Sequence, residues 1–243
     1  MSKIKKNNTT KSPLIGNKLD EFRLRSFKLT EKQKTLLSLC MDPETKIIFI
    51  SGPAGSSKTY MAIYSALRIM QESRDMDLLY IRTIIESAER GLGALPGDLQ
   101  EKFNPYIMPL LEKLDEIIPA ETTSKKELLQ DKRIDAMPIN FLRGASWKNK
   151  IVIMDEAQNA TIKELTTLVT RIGENTKLFI CGDLMQSDIN GKSGFNEIIK
   201  IFNDEESSDK GIHTFKFNTS DIKRSAILKF IIKKISDHGS SEK

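Results

Sequence analysis

The sequence predicts an α/β fold of three layers, a doubly wound and mostly parallel sheet between helices, and two observations carry that expectation. The first is a set of four short apolar runs, Lys46-Ile47-Ile48-Phe49-Ile50, Leu78-Leu79-Tyr80-Ile81, Lys150-Ile151-Val152-Ile153-Met154 and Lys177-Leu178-Phe179-Ile180-Cys181. They lack the polar alternation of a sheet with one wet face and read as strands buried on both faces. The second is helical periodicity between these runs, clearest in Ile162, Leu165, Leu168, Val169 and Ile172. Thr161 and Glu164 open that segment as a capping box, and Gly173 closes it. Strands that alternate with helices pair in parallel, and such sheets place ligands at the carboxyl ends of their strands.

Composition bounds the rest. The chain has 243 residues, 39% hydrophobic and 29% charged. That suffices for one domain with a sizeable core and is too apolar for wholesale disorder. The longest aliphatic runs, Ile47-Ile48-Phe49-Ile50 and Ile151-Val152-Ile153-Met154, fall far short of the roughly 20 residues a bilayer demands. Met1-Ser2-Lys3-Ile4-Lys5-Lys6 carries no apolar signal segment, so a cytoplasmic chain without membrane association is expected. Cys40 and Cys181 each sit in an apolar stretch, and His213 and His238 stand apart, which leaves no disulfide framework and no Cys/His zinc cage. The net charge of +5 is uneven: residues 1–34 carry +7 and residues 210–243 carry +5, so the stretch between them carries −7. Basic ends suit nucleic acid phosphates and equally suit solvated tails.

The chemistry follows the strand ends. After the first run comes Ser51-Gly52-Pro53-Ala54-Gly55-Ser56-Ser57-Lys58-Thr59, leading into the helical pattern from Tyr60 to Met70. Small residues there let successive backbone N–H groups curl round an anion at a helix N-terminus. In that reading Gly52, Pro53, Ala54, Gly55, Ser56 and Ser57 form a phosphate loop, Lys58 reaches the β and γ phosphates of ATP, and the Thr59 hydroxyl is a ligand for Mg²⁺. Ser57 stands where the motif asks for glycine, which costs backbone freedom and adds a β-carbon near the phosphates. A plain Gly/Ser turn between strand and helix is the alternative. After the third run comes Asp155-Glu156-Ala157-Gln158-Asn159, a Walker B arrangement in which Asp155 holds Mg²⁺ through water and Glu156 deprotonates the attacking water. A helix cap with acidic residues is the alternative for that pair taken alone. After the fourth run, Gly182-Asp183-Leu184-Met185-Gln186-Ser187-Asp188 places the Gln186 amide where a γ-phosphate sensor is needed, or forms a turn.

Together these residues resemble the PhoH family of ATPases, P-loop NTPases whose core is similar to the first RecA-like domain of superfamily-1 helicases. The resemblance rests on Gly52 to Thr59, Arg143-Gly144, Asp155-Glu156-Ala157-Gln158-Asn159 and Gly182-Asp183 with Gln186 and Asp188. Between the second and third runs, Arg82-Thr83, Gly91-Leu92-Gly93-Ala94-Leu95-Pro96-Gly97-Asp98-Leu99, Pro105-Tyr106 and Pro109-Leu110 resemble the leader that family carries. The expected organisation is a basic arm over residues 1–28, a PhoH-like domain over 29–235 and a polar tail over 236–243. The resemblance implies a stand-alone, phage-like member in the host cytoplasm. Its implied partners are ATP with Mg²⁺, RNA or single-stranded nucleic acid, and further copies of itself in a homo-oligomer such as a hexameric ring.

Four further assignments come only from the resemblance. Gln33, after Leu29-Thr30, matches an adenine-reading glutamine, although Thr30 and Gln33 also form a capping box for the helix carrying Leu36, Leu37 and Cys40. Arg224 falls where the family places a late arginine that neutralises transition-state charge, with an ordinary basic helix residue as the alternative. Arg143 matches a phosphate or subunit contact, with a surface salt bridge as the favoured plain reading. Arg82 matches a nucleic acid backbone contact, with a strand-end arginine capping a loop as the favoured plain reading. Two other functions fit less of the sequence: a nucleotide-dependent switch with little turnover, encouraged by Ser57, and a metal-dependent nuclease, for which Asp155, Glu156, Asp183 and Asp188 are the available strand-end carboxylates.

Overall fold

The computed structural model describes residues 23–83, 99–120, 124–142, 146–184, 186, 193–222, 227, 230, 231 and 234. The four apolar runs are strands β1 (Ile47–Ser51), β2 (Asp77–Arg82), β4 (Lys150–Asp155) and β5 (Thr176–Gly182). Two more strands, β3 (Ile134–Pro138) and β6 (Ile212–Lys216), complete a six-stranded sheet in the order β3-β2-β4-β5-β1-β6. Every pairing is parallel. β3 and β6 lie at the two edges, where partial exposure removes the need for a continuous apolar run, so their sequences carry no such signal. β5 separates the strand that leads into the glycine-rich loop from the strand that ends in the Asp-Glu pair, which is the RecA-like arrangement of a P-loop NTPase.

The strand period of two divides the core between the faces of the sheet. Ile48, Ile50, Leu78, Tyr80, Ile151, Ile153, Phe179 and Cys181 point to one side. There they pack with helices α1 (Glu31–Met41), α2 (Lys58–Glu72) and α3 (Leu99–Ile117). A short α4 (Ser124–Gln130) contributes Leu128 to the same cluster. Ile47, Phe49, Leu79, Ile81, Val152, Met154, Leu178 and Ile180 point to the other side, against Leu165 and Leu168 of α5 (Ile162–Val169) and Phe195 and Ile198 of α6 (Phe195–Ile201). Coverage on both faces is what the unalternating runs require.

Both capping boxes form. Thr30 with Gln33 opens α1, and Thr161 with Glu164 opens α5. α5 stops at Val169, earlier than the periodicity through Ile172 suggests, and Gly173 serves a different purpose from a helix cap. A β-carbon there would lie 2.1 Å from the Trp147 carbonyl oxygen, so the chain leading into β4 needs glycine at this crossing. The polar stretch from Asn203 to Gly211, which reads as low complexity, contains helix α7 (Glu205–Asp209) with Asp204 as its N-cap, accepting from Ser207 N at 2.8 Å. Among the described residues no helix is long and apolar enough to cross a membrane.

Candidate active site

The phosphate loop begins where β1 ends. Gly52 packs so closely against the chain after β6 that a β-carbon would sit 2.7 Å from Phe217 Cβ. Ser56 is buried, and its hydroxyl donates to Pro53 O at 2.8 Å, which tightens the turn. Gly55 and Ser57 take φ of 78° and 69°, in the left-handed region. Ser57 is therefore a non-glycine residue in a conformation that favours glycine, and the departure noted in the motif is a point of backbone strain. Ser57 is also the N-cap of the 15-residue α2 and gives no side-chain cap, so the first N–H groups of that helix face the loop. The ammonium of Lys58 donates to Gly52 O at 2.7 Å and to Pro53 O at 3.0 Å. Its position inside the loop is fixed by those two carbonyls.

β4 brings Asp155 beside the start of α2. The Thr59 hydroxyl donates to Asp155 Oδ1 at 2.7 Å, and the Tyr80 hydroxyl donates to Asp155 Oδ2 at 2.6 Å. Tyr80 is fully buried, and burial first, then the charge of Asp155, holds its phenol well above the usual range, so it stays a donor. Thr59 and Asp155 together offer the hard oxygen donors that Mg²⁺ takes alongside water and phosphate oxygens, and the residues fit that ion. Tyr80 was legible only as a strand residue. Its signal is a tyrosine inside a doubly buried run, where the hydroxyl needs a polar partner.

Glu156 follows β4 at φ 55°, ψ 40°, again left-handed, which turns its side chain out of the strand direction. Arg82, the last residue of β2 and Asp155's register partner, places Nη2 at 3.6 Å from Glu156 Oε1. The arginine read as a strand-end contact is thus the ion-pair partner of Glu156. On the other side the Gln158 amide Nε2 donates to Glu156 Oε2, while its Oε1 accepts from Asp183 N at 3.0 Å. The Thr83 hydroxyl donates to the Glu156 carbonyl at 3.3 Å.

A cleft of about 550 Å³ opens at the carboxyl ends of β1, β4 and β5, and Gly52, Pro53 and Ser56 of the loop are not among the residues that line it. Ala54, Gly55, Ser57, Lys58, Thr59, Asp155, Glu156 and Gln186 all face it. Gln186 also closes a turn, donating from its backbone N to Asp183 O at 3.4 Å, as the turn reading of that stretch expects. α3 supplies a wall that the sequence did not reveal, with Glu112, Lys113 and Glu116, the last two ion-paired. Cys181 lies at the floor, and burial raises its thiol well above the usual range, which makes it an inert packing group. Gln33 is buried, accepts from Thr30 N at 3.1 Å within the capping box, and is not among the cleft-lining residues. Arg143, Arg224, Asp188 and the stretch from Gly91 to Asp98 lie outside the described residues.

Residues 27–236 match the family model described as PhoH-like protein. The chain belongs to the PhoH-like protein family. A PhoH-like protein of Synechocystis is 34% identical over 188 residues, covering 76% of this chain and 55% of the relative. The corresponding protein of Bacillus subtilis is 31% identical and covers 76% of this chain and 57% of the relative. Protein PhoH of Escherichia coli is 30% identical, covering 75% and 51% respectively. The chain thus spans about half the length of the curated relatives it matches. Among solved structures, Pif1 helicase from Candida albicans is similar at a TM-score of 0.40 and 13% identity, covering 79% of this chain and 40% of that one. Unliganded Pif1 from a Bacteroides species also gives a TM-score of 0.40, at 18% identity and 85% and 44% coverage. This PhoH-like chain carries a glycine-rich loop between β1 and α2 and an Asp-Glu pair at the end of β4, on an all-parallel six-stranded α/β sheet.

Proposed function

We propose that this PhoH-like chain binds ATP with Mg²⁺ and hydrolyses it, coupled to RNA or other single-stranded nucleic acid. The observation that carries the reading is the convergence of Lys58, Thr59, Asp155 and Glu156 on one cleft from two non-adjacent strands, β1 and β4. Backbone N–H groups of the loop and the N-terminus of α2 hold the phosphates, and Lys58 adds a positive charge at the β and γ positions. Thr59 and Asp155 would hold Mg²⁺, which neutralises charge on the phosphates when bound. Glu156 orients the attacking water and takes its proton, and the Gln186 amide senses the γ-phosphate. Gln33, whose side chain closes the α1 capping box and does not line the cleft, is given no role toward the nucleotide.

The cations facing the cleft among the described residues are Lys58, Arg82 and Lys113. Arg82 is paired with Glu156 and Lys113 with Glu116. A further positive charge for the transition state is assigned to Arg224 or Arg143, reaching the site from a neighbouring subunit of a homo-oligomeric ring. The nuclease reading draws on Asp155, Glu156 and Asp183, which share the cleft, and fits less of it than the ATPase reading because it gives Lys58 and the loop no role. The switch reading draws on the strain at Ser57. Phosphate release by the purified chain, measured with and without single-stranded RNA and DNA, tests all three. ATP turnover that rises with nucleic acid is expected. Tight ATP binding without release favours the switch, and phosphodiester cleavage without ATP favours the nuclease.

Ser57→Gly separates the strain from any use of the hydroxyl. Glycine relieves a left-handed penalty of roughly 1 kcal/mol, partly offset by its larger entropy in the unfolded chain. It also removes a β-carbon beside the phosphates. Thermal stability within about 1 kcal/mol of wild type and nucleotide affinity equal or higher are expected from melting curves and equilibrium titration. A marked loss of affinity would make the Ser57 hydroxyl a ligand.

A further inference from the structure

Gln158 is the second residue of the short 3-10 turn Ala157–Asn159, a place where a polar side chain ordinarily faces water. Here its residue is only 4% exposed, buried between the end of β4 and the end of β5. Both ends of its amide are used. Oε1 accepts from the backbone N–H of Asp183 at 3.0 Å, in a buried bond, and Nε2 donates to Glu156 Oε2. The first contact decides the second: a backbone N–H can only donate, so it demands the carbonyl end of the amide and turns the NH₂ end toward Glu156. The Glu156 side chain is itself 40% exposed and grows from a left-handed residue, so packing alone does not fix its rotamer. The Arg82 contact at 3.6 Å, partly exposed, is a weak restraint.

We propose that Gln158 is a positioning residue for Glu156, locking the carboxylate's orientation against the backbone of Asp183. The amide bridges two strand ends that approach the reacting phosphate from different sides. Through it, the placement of Glu156 depends on the segment that carries Gln186, the assigned γ-phosphate sensor. Gln158 touches neither nucleotide nor water in this role and acts only through Glu156. The inference therefore rests on Glu156 being the base.

The test is a double-mutant cycle with the full chain, using single-turnover ATP hydrolysis, steady-state kcat and KM, and equilibrium ATP titration. Gln158→Leu is expected to lower kcat roughly 10- to 100-fold, as loss of a supporting hydrogen bond does around other catalytic groups, with KM and ATP affinity unchanged. Gln158→Glu keeps an oxygen for Asp183 N and sets a carboxylate against Glu156. It should lose at least as much kcat at high pH, where the buried carboxyl is ionised, with ATP affinity unchanged, and recover part of it at lower pH, where the protonated carboxyl can donate to Glu156, which decides the matter should the leucine variant fold poorly. In the Glu156→Gln background neither change should cost more than about twofold. Equal losses in both backgrounds, a parallel loss of ATP affinity, or wild-type kcat in Gln158→Glu would each overturn the proposal and leave the ATPase reading standing. A wild-type chain that binds ATP tightly but does not turn it over defeats the ATPase reading, and this one with it.

Discussion

Lys58→Ala is expected to abolish ATP turnover and to weaken nucleotide binding by roughly 100-fold or more. A hydrogen bond between charged groups contributes about 1.5–3 kcal/mol, and the ammonium is assigned to two phosphates. The structure adds a second reason. Nζ is tied to Gly52 O and Pro53 O, so the side chain braces the loop as well as reaching the anion. Alanine removes the charge and the brace together. Lys58→Met keeps the length of the stem but loses the donors, and with them both charge and brace, so it separates only the packing of the stem from those two. Titration with ATP and ADP should show the triphosphate losing more affinity than the diphosphate in both variants. Hydrolysis at the wild-type rate in Lys58→Ala would remove the phosphate loop from the chemistry.

The residues proposed to carry chemistry stand out in the sequence because they follow strands buried on both faces, and such strands announce themselves as unbroken apolar runs. Ile47 to Ile50 leads to the loop, and Ile151 to Met154 leads to Asp155. What could not be read falls into two kinds. β3 and β6 are edge strands, half wet, and their composition competes with turns and short helices. The partners Tyr80, Gln158 and Glu112 depend on parallel register and on where α3 crosses the cleft, both long-range consequences of folding. Arg82 illustrates the limit: its position at a strand end was legible, but its pairing with Glu156 requires knowing that β2 lies beside β4.

Glu156→Gln is expected to do the opposite of Lys58→Ala, keeping nucleotide binding while lowering hydrolysis by roughly 10²-fold or more. The amide has the shape of the carboxylate and can still accept from the Gln158 NH₂ group, so the short turn after β4 should stay as it is. It cannot take a proton from water. The charge change has a second consequence. With the carboxylate gone, Arg82 loses its counter-charge, and its guanidinium, about 21% exposed at the cleft, becomes available to a phosphate oxygen. ATP should then bind at least as tightly as in the wild type, and any gain should be larger for ATP than for ADP, because the triphosphate brings the extra anionic group. Equilibrium titration beside single-turnover hydrolysis reads both effects. Unchanged turnover would show that Glu156 is not the base. Turnover and ATP affinity that fall together would show that the carboxylate orders the loop, and would move the search for the base to Asp183, the other strand-end carboxylate facing the cleft that is not assigned to Mg²⁺.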